Sequence, residues 1–421
     1  MPRLRSASAP VIALAVAATV AACTGQTPMP TPTPSPTYDV TGDGVLRIGS
    51  LFPTSGTFAY IGAGQVAGVE TAVREINEAG GVGGVPVEVF HRNSGDATTQ
   101  TAEAAYAELL TKGVDVVIGP SSSVLAQRLL EPVVAASVPL ISPAATLPSV
   151  TGLDDSGFVF RTIGAYGDQG AALADAMAEA GVSDVAYVYL DDDLGASLLE
   201  GLTAGAAESG LTLAFEGSFA AKATDFTALI KKVVAARPDA VVIATPSDAT
   251  AETKALVTAL AAAKLGGEKL WFTSQNLADY SQTFPAGLLD KANGVLEGAQ
   301  PDATFIARLK QADPGLSTFR YAEEAYDATI MAALAATIAR DDGGAAIARL
   351  LPTVSTGGIK CTSFGECLDV LRTETNIDYD GISGPVNFTK SGDVASASWG
   401  IYAYSAANTY TLVRTVVAGN K

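Results

Sequence analysis

Histidine occurs once in the 421 residues, as His91, and cysteine three times, as Cys23, Cys361 and Cys367. A Ser-His-Asp hydrolase would depend on that single histidine, and no GxSxG turn is present to carry its serine. His91 is therefore read as an exposed residue at a strand end. A structural zinc site needs four nitrogen or sulfur ligands, more than Cys361 and Cys367 supply. Basic residues are also few, 26 Lys and Arg against 44 Asp and Glu, which leaves a net charge of −18. Phosphate backbones need basic neutralisation, so nucleic acid is excluded as a partner. Polybasic attachment to anionic lipid is excluded on the same ground. The chain has no P-loop, and beyond its N-terminal region no apolar run is long enough to span ~30 Å of bilayer. With no catalytic constellation and no cofactor fingerprint, neither an enzyme nor a bound cofactor or metal is expected.

Several features stand against these gaps. Arg3 and Arg5 precede a short apolar run, Pro10–Val20, which ends in Val20-Ala21-Ala22-Cys23. That order looks like a bacterial lipoprotein signal, and it predicts a signal peptide over 1–22 with Cys23 lipidated as the mature N-terminus. Over 23–43, Pro28, Pro30, Pro32, Pro34 and Pro36 alternate with small residues, a composition that favours extended polyproline II and builds no core. It reads as a tether holding a folded body off the extracellular face of a bacterial cytoplasmic membrane. In an exported chain, Cys361 and Cys367 are expected to close a small disulfide loop.

From residue 44 onward, apolar strand-like runs alternate with helical spacing, the pattern of a parallel sheet wrapped by helices. Val85–Phe90 reads as a strand, and Gln65–Ala79 as a helix with Val66, Val69, Val73 and Ile76 on one face. After Phe160-Arg161-Thr162 a second α/β unit of similar size follows, and 421 residues are enough for two cores of ~250 residues or less. The run Asn293–Ala299 is expected to return to the first unit. Gly62, Gly64 and Gly68 imitate a dinucleotide fingerprint with the last glycine one position late. Asp191, Asp192 and Asp193 read as solvated loop charge, since a calcium site needs oxygens spaced around the ion. Trp271 and Trp399 are assigned to core packing, Trp271 having the better claim to a cleft.

The most informative stretch is Gly119 to Pro148. Two short runs, Val114–Ile118 and Val138–Ile141, each end in a loop of small hydroxyl residues, Gly119-Pro120-Ser121-Ser122-Ser123 and Ser142-Pro143-Ala144-Ala145-Thr146. Ligands of open α/β sheets bind outside the carboxyl ends of the strands, and hydroxyls with free N–H groups there suit a small carboxylate. Taken alone, the same residues serve equally well as helix caps and turn formers.

With IGSLFPTSG, AVREINEAGGVGG, VVIGPSSS, PLISPAAT, VFRTIG, DFTALIKKV and GPVNFTKSGD in order, the chain resembles the leucine/isoleucine/valine type of periplasmic binding protein, the solute receptors of ABC importers. The resemblance covers nearly all of 45–416. It implies two Rossmann-like α/β lobes with a ligand cleft between them and three hinge crossovers. The lobes would be 44–164 with 296–391, and 165–295 with 392–421. It implies that Ser123, with Ser122 beside it, binds a ligand carboxylate, that Ala144 and Thr146 supply a carbonyl and a hydroxyl, and that Tyr326 walls the ligand. Tyr60 lies next to an expected aromatic position. In the second lobe the acid expected to meet a ligand ammonium is replaced by Gln275. A tyrosine is replaced by Leu194 in Asp191-Asp192-Asp193-Leu194, and another aromatic position falls near Pro246. Asp191, Asp192 and Asp279 are the candidates to restore the missing charge, with Tyr166 a further cleft residue. The expected partners are a small carboxylate-bearing solute, such as a branched-chain amino acid, a membrane permease and a separate ATPase. A sensing receptor of the same fold, or a receptor for an amide or an aromatic or aliphatic acid, remains the alternative.

Overall fold

A computed structural model describes residues 40–419 except 57, 246–249 and 299. The signal peptide, Cys23, all but the last residues of the tether, and Pro246 lie outside the described residues.

Five short apolar strands come first: β1 (Arg47–Phe52), β2 (Glu88–Asn93), β3 (Val116–Ile118), β4 (Leu140–Ser142) and β5 (Val159–Arg161). They form one parallel sheet in the order β2-β1-β3-β4-β5. β1, β3, β4 and β5 are buried almost throughout, because helices cover both faces of a parallel sheet. Next come β6 (Asp184–Leu190), β7 (Thr212–Phe219), β8 (Ala240–Ala244), β9 (Leu270–Phe272) and β10 (Asn293–Glu297). After a small parallel pair, β11 (Ile359–Cys361) with β12 (Ile377–Tyr379), the chain ends in β13 (Ala397–Tyr404) and β14 (Tyr410–Ala418). The second large sheet has the order β14-β13-β10-β9-β8-β6-β7, antiparallel only along β10-β13-β14. The fold is thus two α/β lobes, and the chain passes between their sheets after β5, after β10 and before β13.

The return expected at Asn293–Ala299 begins only after Glu297. β10 pairs with β9 on one side and β13 on the other, so ladder hydrogen bonds hold it in the second sheet through Glu297. The boundary expected at 295/296 moves accordingly. The helix expected from Gln65 begins earlier, at Ala59, and buries Val69, Val73 and Ile76 as the spacing predicts. Its glycines answer a packing need. A Cβ on Gly62 would stand 1.8 Å from the Pro53 carbonyl oxygen, and one on Gly68 2.2 Å from that of Ala322. The glycine run lets this helix lie against the helix Ala322–Ala339, and the nucleotide-like spacing is incidental. Trp271 and Trp399 are both buried in the larger hydrophobic core, and Trp271 does not reach the cleft. Cys361 and Cys367 form a disulfide joining β11 to the helix Phe364–Leu371. No helix among the described residues is long and apolar enough to cross a membrane.

Candidate functional site

The loops after β3 and β4 lie side by side because their strands are neighbours. Gly119 turns the first loop with φ +113°, where a Cβ would meet the Leu51 carbonyl oxygen at 2.4 Å. The Ser142 hydroxyl donates to the Pro120 carbonyl (2.6 Å) and accepts from Ala145 N–H (3.0 Å), tying the loops together. Ser123 Oγ accepts from Leu147 N–H (3.1 Å), which leaves its own proton to donate. Beneath them the buried Arg161 donates to the carbonyls of Ala145 and Leu147 (3.1 Å each) and pairs with Asp393 (2.5 Å). The sequence drew attention to Arg161 only as part of a change between units. In the structure it fixes the loop that carries Ala144 and Thr146.

These loops form one wall of a cavity of about 660 Å³ between the two sheets. Tyr60, Ser122, Ser123, Ala144 and Thr146 line it from the first lobe, and Leu194, Gln275 and Asp279 from the second. Tyr60 is 57% exposed, at the mouth. The loop after β9 is held by Asn276, whose side chain accepts from Thr273 N–H (2.8 Å) and donates to the Ile243 carbonyl (2.9 Å) and to Thr245 Oγ1 (2.8 Å).

Four expected cleft residues lie elsewhere. Tyr326 is 1% exposed, and its hydroxyl donates to Glu75 (2.6 Å) inside the first-lobe core. Helical geometry explains this, since Tyr326 sits on the buried start of Ala322–Ala339 while Tyr321, just before that helix, turns into the cleft. Asp192 caps the helix Asp193–Ser209 by accepting from Gly195 N–H (2.8 Å), and only Leu194 of that loop reaches the cavity. Tyr166 is buried with its hydroxyl on Thr273 Oγ1 (3.3 Å). Asp191 is exposed and does not line the cavity. Asp279 does line it but is solvated, with a pKa lowered by the hydroxyl and N–H of Ser281.

Sequence reading missed Glu297, Arg320 and Tyr321. Glu297 Oε1 accepts from Arg320 Nη2 (2.5 Å) and from the Tyr321 hydroxyl (2.5 Å), and all three residues line the cavity. Burial raises the Glu297 pKa. The charge of Arg320, the Tyr321 hydroxyl, its own N–H and the Ser274 hydroxyl outweigh that and hold the carboxyl below its usual range. The available signal was an acidic residue ending an otherwise apolar strand, NGVLE.

His91 also differs from expectation. It lies within β2 and is about one-third exposed, accepting or donating between Ser50 Oγ (2.5 Å) and Glu70 (2.6 Å). Ser50 is fully buried and outside the cleft, so this Ser-His-Glu chain presents no nucleophile to a substrate.

The family model for periplasmic binding proteins matches residues 45–408. The chain belongs to the periplasmic binding protein family. Among its relatives, a chemotactic signal transduction system substrate-binding protein of Halobacterium salinarum is 26% identical over 360 residues, covering 82% of this chain and 83% of the relative. A leucine-, isoleucine-, valine-, threonine- and alanine-binding protein of Pseudomonas aeruginosa is 30% identical over 201 residues, about half of each chain (47% and 52%). The fold of this periplasmic binding protein is shared with a branched-chain amino acid transporter substrate-binding protein of Streptococcus pneumoniae solved with isoleucine. That match has a TM-score of 0.60 at 20% identity and covers 89% and 99% of the two chains. A solute-binding protein of R. palustris solved with benzoate gives 0.58 at 20%, covering 90% and 98%.

Proposed function

We propose that this binding protein captures a small carboxylate-bearing solute by closure of its two lobes and hands it to the permease of an ABC importer, whose ATPase is a separate chain. The observation that carries the reading is the convergence of Ser122, Ser123 and Thr146 on one wall of the cleft, facing Gln275 and Leu194 on the other. Hydroxyl donors fixed by Arg161 and Ser142 match the lone pairs of a carboxylate without reorganising when it arrives. The second lobe then covers the solute, and the solute shifts the population toward the closed form. The named ligands of the relatives, leucine, isoleucine, valine, threonine, alanine and benzoate, share a carboxylate on a small and mostly apolar body. A thermal-shift panel of leucine, isoleucine, benzoate and glucose tests this, since a ligand selective for the folded state raises the melting temperature. At least one of the acids is expected to stabilise the protein and glucose is not. Ser123→Ala should weaken the effective acid by about 1–3 kcal/mol, the cost of an unmet partner for a charged group. Stabilisation by glucose alone, or an unchanged Ser123→Ala affinity, would overturn the assignment.

The N-terminal pattern adds an anchor. Cys23 lipidation and the proline-rich tether would hold the body outside a cytoplasmic membrane, and Cys23→Ser should release it into the medium. Retention on the cells would remove the anchor. The Halobacterium relative, named for chemotactic signalling, favours a second reading as a sensor. Deletion separates the two: an importer receptor takes solute uptake with it, whereas a sensor takes only the behavioural response.

A further inference from the structure

The reading of the cleft as a solute site leaves the ligand's second polar group unassigned, and Glu297 addresses it. The residue ends β10, where pairing with Trp399 of β13 fixes it beside the crossing between lobes. It is 7% exposed. Arg320 and Tyr321 both donate to one oxygen, Oε1; the Ser274 hydroxyl lies near the carboxylate, but the other oxygen, Oε2, has no hydrogen-bond partner among the described residues. Tyr321 reaches its position with a left-handed backbone, φ +63°, a conformation unfavourable for a non-glycine residue. Arg320 packs its guanidinium over the Tyr321 ring at 4.9 Å, and its own Nε is likewise unpartnered. A buried carboxylate oxygen without a donor is costly, so two donors crowded on one oxygen leave a deliberate opening for a third. Across the cleft the position expected to be acidic is the neutral Gln275, and Asp192 is occupied as a helix cap.

We propose that Glu297, at the end of β10, accepts a nitrogen-borne hydrogen-bond donor of the solute, an ammonium or a primary amide, and so sets which carboxylates the cleft prefers. The inference rests on the solute-site reading above but adds a residue and a ligand class to it. The ammonium and the amide share the N–H donor. They differ in whether they need the acceptor to be charged.

Calorimetric titrations with matched acids test it: leucine against 4-methylpentanoate for the ammonium, succinamate against butanoate for the amide. In the unaltered protein the nitrogen-bearing member of at least one pair should bind tenfold or more tightly. Glu297→Leu should remove that advantage, read as the ratio of the two affinities within each pair, whatever the freed Arg320 does to both acids alike. Glu297→Gln should remove an ammonium's advantage and keep an amide's, because the variant retains a neutral carbonyl acceptor. If Glu297→Leu fails to fold with Arg320 left unpaired, Glu297→Leu/Arg320→Leu removes the pair as a unit and gives the same readout. A preference for the nitrogen-free acids, or a nitrogen preference that survives Glu297→Leu, would overturn the proposal while leaving the carboxylate reading intact. Failure of every acid to bind would overturn both.

Discussion

Glu323 occupies the buried start of the helix Ala322–Ala339 and lines a second hollow with Asp302 and Arg308, away from the solute cleft. Burial, then the nearby Glu324, Asp327 and Asp302 carboxylates, pushes its pKa up to about 9. The folded protein therefore holds a proton that the unfolded chain loses near the ordinary value of 4.5. This group's contribution is complete below the unfolded pKa and is lost as pH rises toward 9, by up to about 1.4 kcal/mol per pH unit. Glu323→Gln, a neutral mimic of the protonated acid, should match the unaltered protein near pH 5 and be the more stable of the two near pH 9. Melting curves across that range decide it, and parallel pH profiles would show that Glu323 does not carry the dependence. At this same scale the site was half legible. Ser122, Ser123 and Thr146 announced themselves because small hydroxyl residues at the ends of two adjacent parallel strands have few other places to go. Glu297 and Tyr321 stand 24 positions apart and meet only because the chain crosses between lobes in the interval. Nor does a sequence display the left-handed turn that puts Tyr321, and not Tyr326, in the cleft.

Among the elements, the helices and strands of the first lobe were expected in the right order, and their edges moved for local reasons. β2 begins at Glu88 rather than Val85 because Val85 pairs back to Val82 and the Asn77 side chain takes both backbone groups of Val87. The helix Ala59–Glu78 was shortened in expectation because glycine reads as a loop former, whereas Gly62 and Gly68 are there for contact. The Cys361–Cys367 bridge came directly from spacing and context. It closes a short loop, with the two residues six apart, at the junction of β11 and the helix Phe364–Leu371. The chain-entropy model assigns such a loop about 2 kcal/mol. Cys361→Ser/Cys367→Ser should lower the melting temperature by an amount that a reducing agent reproduces in the unaltered protein. An unchanged melting temperature after verified reduction would show that Phe364 and its apolar neighbours hold the segment without the bridge.

For the molecule as a whole, alternation of strands and helices conveyed two α/β units, but not which sheet receives the last strands. β13 and β14 are antiparallel additions to a parallel sheet, and nothing in their own residues distinguishes one lobe from the other. The family resemblance supplied that crossing, and hydrogen-bond register places it. The proposed function has a mechanical consequence: a small acid would fill a cavity of about 660 Å³ walled by two lobes only if they approach each other. Small-angle scattering of the protein at rising concentrations of whichever acid most raises its melting temperature tests that directly. The radius of gyration should fall to a plateau at the concentration that saturates binding, and Ser123→Ala should need more acid to reach it. An acid that binds with full occupancy and leaves the radius of gyration unchanged would contradict a receptor that works by closing.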